Sequence, residues 1–442
     1  MQSPAEHFQQ LAQWLREHVQ APERFTFSYN AEASDFIRFN HGKVRQAGHV
    51  QQTKVYLKLV DGGRQADLEL TLAEDLDSDL QRLGDGLQQL RQTLPLLPLD
   101  PYLQLNDAAW HSQTEQATPL PPAQAVIEQI GAAAQGLDLV GIYAAGPICR
   151  GFASSEGALG WHQANSFNFD WSLFHANGQA VKANYAGQAW QASDFLQRLQ
   201  QSREQLDHLA RPLKTLAPGQ YRAYLAPAAL DEIIGMLCWG GFSARALANK
   251  DSPLQRLYSG SSLLSPLLSV SEQVSDSLSP RFSYEGFPRS DVSLIARGAA
   301  SGRLVDSRSA AEYGLEGNGA DGGESPSALQ VGPGHLPQAE VLAQLGTGLY
   351  ISNLWYLNYS DLSAARLTGL TRFATFWVED GQIVAPVSTM RFDDSVYDLL
   401  GSQLQALTAE RELILSTSTY GERKTSSTLL PGALVNSLTL TL

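Results

Sequence analysis

The sequence predicts an α+β protein: a helix-and-sheet N-terminal half followed by a β-rich C-terminal domain. Three observations carry this. Apolar residues near the start recur at helical spacing, several later segments alternate apolar and polar residues as strands do, and beyond residue 218 one helical stretch stands among many strand-like ones. With 442 residues the chain is too long for a single ordinary core. The division falls at "ARPLKTLAPGQ", where proline and glycine punctuate the chain. This gives an N-terminal α+β domain over 1–212, with a Pro-rich connector near 94–122, and a β-rich domain over 218–442.

The opening "SPAEHFQQLAQWLREHV" is a helix with Ser3 as N-cap, Pro4 in the first turn and Glu6 as the return arm of a capping box. Phe8, Leu11, Leu15 and Val19 share its buried face. In "TKVYLKLVDGGRQADLELTL", Val55, Leu57 and Leu59 alternate, as do Leu68, Leu70 and Leu72, and Asp61-Gly62-Gly63 turns the chain between them, so this is a β-hairpin. From Glu74 the period changes: Leu76, Leu80, Leu83, Leu87 and Leu90 describe a helix laid on a sheet. The connector is too rich in proline for long regular elements. A helix from about Ala123 follows, then short strands in "LDLVGIYAAG", "LGWHQANSFNF" and "GQAVKANYAG", and a helix opened by Ser193-Asp194. In the C-terminal half, "YLAPAALDEIIGMLCWGG" runs from a strand into a helix at Pro227, with Leu230, Ile233, Ile234 and Leu237 on its buried face. "RFATFWVEDGQIVAPVS" is a second hairpin around Asp380-Gly381, and Leu438, Leu440 and Leu442 alternate in a closing strand.

Composition excludes several classes. Against 31 basic residues stand 45 acidic ones, a formal net charge of -14 that leaves no general basic surface for nucleic acid. The start, "MQSPAEHFQQ", lacks the basic and apolar regions of a signal sequence, and no apolar run approaches the roughly 20 residues of a membrane helix. A cytoplasmic protein without membrane contact is expected. Two cysteines, Cys149 and Cys238, cannot build a disulfide framework and read as small buried hydrophobes.

Several motifs imitate chemistry. "GNGADG" at 317–322 fits G-x-G-x-x-G as a string, but a helical segment precedes it where a strand is required. "DLDSDL" from Asp75 begins like a calcium loop but places Leu80 and Gly86 where glycine and glutamate are needed, so the acids suit the first turn of a helix. The histidines show no i, i+4 pair; His162 and His175 are placed on neighbouring strands.

"DEIIGM", Asp231 to Met236, raises a different question. Adjacent Asp231 and Glu232 point about 100° apart on a helix and do not form one carboxylate pair. The blocks "FIRFNHGKVRQAGHVQQTKVYLKL", "FSYEGFPRSDVSLIARGAASGRLVDSRSAAEYGLEGNG" and "GTGLYISNLWYLNYSDLSAARLTGLTRFATFWVEDGQIVAPVS", with their order and spacing, resemble the TldD/PmbA family of zinc-dependent peptidases, once called modulators of DNA gyrase. The resemblance implies H-E-x-x-x-H at this helix in active members, with a cysteine ligand near the C-terminus and a bend at the glycine. Here Asp231 replaces the first histidine, Glu232 keeps the general-base glutamate, Gly235 keeps the glycine and Met236 replaces the second histidine. "STSTYGERKTSSTLLPG" supplies no cysteine, and Cys238, seven positions from Asp231, is expected on the wrong part of the helix to substitute. No metal site is expected in this chain.

The resemblance thus implies a non-catalytic, PmbA- or TldE-like subunit. Its partner would be a TldD-like catalytic subunit holding zinc, and together they would enclose a cavity for unstructured peptides; alone, the chain could pair with itself. Asn353, Tyr356, Asn358, Tyr359 and Ser360 are candidates for binding an extended peptide, or ordinary sheet residues. Two alternatives remain open: a divergent metallopeptidase using Glu232 as base with atypical ligands, and a stand-alone peptide-binding protein.

Overall fold

The computed structural model describes residues 3–441. Leu442 of the expected closing alternation lies outside them. In the N-terminal half the elements are α1 (Pro4–His18), β1 (Arg24–Asn40), β2 (Lys43–Asp61), β3 (Arg64–Leu72), α2 (Leu76–Thr93), β4 (His111–Gln116), α3 (Ala123–Ala133), β5 (Asp138–Ser154), β6 (Leu159–Phe174), β7 (Ala180–Gly187) and α4 (Ala192–Leu209). α1 begins as its sequence dictates: Glu6 N–H donates to Ser3 Oγ at 3.2 Å, and Ser3 N–H donates to Glu6 Oε2 at 2.9 Å.

The strands form one sheet in the order β3-β2-β1-β5-β6, with β4 (parallel) and β7 (antiparallel) lying end to end along the outer edge of β6. The odd-numbered side chains of β1, β2, β5 and β6 and the even-numbered ones of β3 face the helices. Phe25, Phe27 and Tyr29 of β1 and Val55, Leu57 and Leu59 of β2 pack with Phe8, Leu11 and Leu15 of α1 and Leu83, Leu87 and Leu90 of α2. Farther along the same face, Phe167, Phe169, Trp171 and Leu173 of β6 meet Val126 and Ile130 of α3 and Phe195 and Leu199 of α4.

One expectation needs correction here, and two features went unforeseen. The connector holds β4, because its backbone can complete the edge of β6 despite the nearby prolines. His162 lies in β6 and His175 in the turn directly after its end, so the two are not on neighbouring strands. β1, unforeseen as an element, is the centre of the sheet, paired along nearly its whole length to β2 and β5.

The C-terminal half contains β8 (Gly219–Leu225), α5 (Pro227–Leu237), β9 (Val270–Glu272), β10 (Val292–Ala296), β11 (Ala299–Ala300), β12 (Ala328–Val331), β13 (Gly348–Asp361), β14 (Arg366–Glu379), β15 (Gln382–Pro386), β16 (Arg391–Ser395), β17 (Leu404–Leu415) and β18 (Ser427–Leu440), with short helices between them. Strands β8, β13, β14, β16 and β18 pair in turn, and β18 pairs back to β8, so the hydrogen-bonded circuit closes on itself. Closure removes exposed edges. α5 buries Leu230, Ile233, Ile234, Met236 and Leu237 in the main core of this half, against β8, β13 and β18.

The two halves meet along several seams, with apolar contacts from Phe152 and Ala158 to Phe282 and from Ala164 to Leu278 and Leu415, and two further seams frame the site. One is apolar, where Val181 and Leu209 touch Ala374 and Phe376. The other is polar. The even-numbered residues Ser28, Asn30, Glu32 and Ser34 of β1 are buried although they face away from the helices: Ser28 Oγ donates to the Tyr284 carbonyl at 3.2 Å, and the loop between β17 and β18 reaches Glu32 and Ser34. From that loop Arg423, 5% exposed, donates through its backbone N–H to Glu32 Oε2 at 3.2 Å. Its guanidinium donates to Ser34 Oγ and to the Gly146 carbonyl, both at 3.2 Å, and to Ser166 O at 2.9 Å and Oγ at 2.8 Å. Gly146 must be glycine: its φ is +144°, and a Cβ would lie 2.0 Å from Ala33 O.

Burial pushes the Arg423 guanidinium down to about 10, opposed by the Glu32 charge, so it remains a cation at neutral pH. Removing the guanidinium strands its buried acceptors on Ser34, Gly146 and Ser166 and takes a nearby opposite charge from the buried Glu32. Arg423→Met is expected to lower stability by about 3–5 kcal/mol in urea unfolding, and adding Glu32→Gln should restore part of it. A cost below about 1 kcal/mol for the single change would mean that the seam does not depend on this residue.

Candidate functional site

Between the seams lies a cavity of about 1430 Å³. Its N-terminal wall is built by β6, β7 and the polar face of α4. Its C-terminal wall is built by α5, β13, β17 and the start of β18. α4 presents Asp194, Arg198, Gln201, Gln205 and His208 to it, a spacing of three and four that keeps them on one side of the helix. Gln205 Nε2 donates to Tyr350 Oη at 3.3 Å, joining α4 to β13.

α5 carries the motif into this wall. Pro227 opens the helix without sacrificing a needed donor. Asp231 and Glu232 both line the cavity, which wraps far enough around the helix to receive adjacent residues. Asp231 is partly buried, and that burial pushes its carboxyl up to about 6, opposed by the hydroxyl of Thr428 from β18. Glu232 keeps an exposed side chain; desolvation by the surrounding walls, with Asp231 beside it, raises it too, while Lys182 across the cavity acts the other way.

The remaining motif positions turn elsewhere. Gly235 sits within an unbroken helix, and a Cβ there would meet nothing within 4 Å, so no bend or close approach requires glycine here. Met236 is 5% exposed and packs into the core, while its carbonyl accepts from Tyr359 Oη at 2.7 Å. Cys238 overturns the expectation set for it: two helical turns beyond Asp231, it reaches the same cavity. Its thiol donates back to Ile234 O at 3.4 Å and is pushed up to about 12 by burial, so it is no thiolate.

Of the five candidate peptide-binding residues, Asn353 lines the cavity and the other four do not. Tyr356 is exposed on the β13–β14 hairpin at a positive φ of 58°, Asn358 and Ser360 are exposed beyond it, and Tyr359 is partly buried against Met236. Sequence reading missed Asp170, Lys182 and the α4 face. In sequence the α4 pattern is that of any solvated helix side, and only the position of the second half makes it a wall.

The residues present do not fit a zinc ion. The second ligand position holds a thioether committed to core packing, the nearby thiol is protonated and bonded to its own helix, and a carboxylate remains where zinc takes nitrogen or sulfur beside it.

Comparison with known proteins agrees with this architecture. Residues 218–442 match the model of the PmbA/TldA metallopeptidase C-terminal domain. No curated protein sequence gives a significant match. Among solved structures, TldE from Thermococcus kodakarensis superposes with a TM-score of 0.79 at 12% identity, covering 99% of this chain and 100% of that one. A candidate modulator of a DNA gyrase from Thermotoga maritima gives 0.75 at 16% identity, covering 99% and 100%. Another from Bacteroides thetaiotaomicron gives 0.73 at 14% identity, covering 99% and 98%. At these identities the likeness shows a shared fold.

The Asp231 environment predicts a pH-dependent stability. An acid whose pKa rises on folding binds more protons folded than unfolded, so its ionisation penalises the native state. The penalty is absent below the ordinary value of 3.8 and complete above about 6. Asp231→Asn, which keeps an acceptor for Thr428, should therefore raise the thermal midpoint by a few degrees at about pH 7.5 and leave it unchanged at about pH 4. Equal midpoints at both pH values would show that the carboxylate is not penalised.

Proposed function

We propose that this chain, which belongs to the PmbA/TldD metallopeptidase family, is a non-catalytic subunit that forms one wall of a peptide-processing cavity whose zinc is held by a TldD-like partner. The observation that carries this reading is the state of α5: the helix reaches the cavity with Asp231 and Glu232 and turns Met236 into the core. A wall is kept where a ligand set would stand. The shared fold with TldE supports the pairing, and the cavity supports an extended, unfolded peptide as the molecule handled. Function in the cytoplasm is part of this proposal, as is self-pairing when the partner is absent; among the described residues no helix is long and apolar enough to cross a membrane.

Zinc per chain, measured by elemental mass spectrometry after exposure to the metal and removal of loosely held ions, is expected near zero. Mixed with a TldD-like chain from the same organism, the protein should co-elute in size exclusion, and Glu232→Gln should leave turnover of an uncharged peptide by the mixture unchanged, since the base belongs to the partner. About one zinc per chain, lost on changing Asp231 or Glu232, would overturn the reading and make this chain a peptidase in its own right.

A further inference from the structure

The charges lining the cavity are unevenly matched. Seven carboxylates and three permanent cations reach it. Two cations are paired with carboxylates, Lys182 with Asp170 at 3.2 Å and Arg198 with Glu412, while Arg411 donates to the neutral Gln330 Oε1 at 3.0 Å and Val331 O at 3.3 Å and so offsets one of the remaining negative charges. His208 adds no charge at neutral pH, because burial lowers its pKa. Asp194 and Glu204 on α4, Asp231 and Glu232 on α5, and Glu410 on β17 remain without a cationic ion-pair partner among the described residues.

These carboxylates come from three elements on opposite walls. They do not converge: among the described residues no three metal-ligating side chains stand together. Dispersed negative charge in a concave, low-dielectric site attracts positive charge along the length of a ligand rather than at one point. An acidic ligand would meet repulsion and leave its own carboxylates poorly solvated.

Building on the peptide-cavity reading above, we infer that this cavity selects extended peptide segments rich in lysine and arginine over neutral or acidic ones. Asn353 of β13 adds neutral hydrogen-bonding capacity, and the five carboxylates set the preference.

The test is fluorescence anisotropy on the full chain with three labelled, unstructured peptides of equal length, net basic, net neutral and net acidic. The basic peptide is expected to bind at least about tenfold tighter than the acidic one at low salt, with the difference shrinking as ionic strength rises. The triple variant Glu204→Gln, Glu232→Gln, Glu410→Gln should remove most of that difference. A control triple on exposed carboxylates of the helices outside the cavity, Glu17→Gln, Asp85→Asn, Glu128→Gln, should keep it. Equal binding of all three peptides would overturn charge selection and leave the peptide site standing. Binding of none would overturn the site itself. A control triple that abolishes the difference as fully as the cavity triple would assign the preference to the net charge of -14 on the whole chain and not to the cavity.

Discussion

A single buried cation organises the polar seam between the two halves. Arg423 crosses from the C-terminal half into the polar face of the N-terminal sheet and there satisfies acceptors on β1, β5 and β6. A sheet normally faces water or apolar packing. Here Ser28, Asn30, Glu32 and Ser34 are covered instead, which costs least where the polar groups find partners, as those of Ser28, Glu32 and Ser34 do and Asn30 Oδ1 does not. Arg150 adds to the seam through Glu422 at 3.4 Å, as does Gln52 through the Gly421 carbonyl at 2.7 Å. The loop between β17 and β18 is thereby fixed at its tip, and its two flanks become cavity wall.

Much of the fold was legible in the sequence because local signals and global structure agree there. Ser3 and Glu6 form the expected capping box, Asp61-Gly62-Gly63 turns a hairpin, and Asp380-Gly381 turns another. β1 was not legible as the centre of the sheet. Its apolar residues alternate, yet the residues between them are buried polar groups, and Glu32 and Ser34 among them find partners nearly 400 positions away. Closure of the C-terminal circuit was hidden for the same reason, since β8 meets β18 across about half the chain. Pattern reading sees one segment at a time, and neither feature belongs to one segment.

The site divides along the same line. Asp231 and Glu232 stood out because they lie together in a motif, and the structure places both at the cavity. Lys182, Asp170 and the polar side of α4 belong to the same cavity but carry no local mark. Cys238 shows the opposite error: seven residues are two helical turns, so distance along the chain concealed a shared face. Tyr359 was a candidate for contact with a ligand, and its hydroxyl is spent on the Met236 carbonyl.

On the proposed non-catalytic reading, Met236 also gives the site a direction in evolutionary time. A vacated metal position that still opened on the cavity could be refilled by one substitution. This one has been absorbed by the hydrophobic interior, at 5% exposure among Ile233, Leu237 and their neighbours. A histidine introduced here would bring a polar ring into apolar packing, where an unpaired nitrogen costs about 1–3 kcal/mol before any metal arrives to repay it. The first step back toward a metal centre is therefore uphill. Such a helix behaves as a ratchet, holding the chain to whatever role the cavity can serve without a metal of its own.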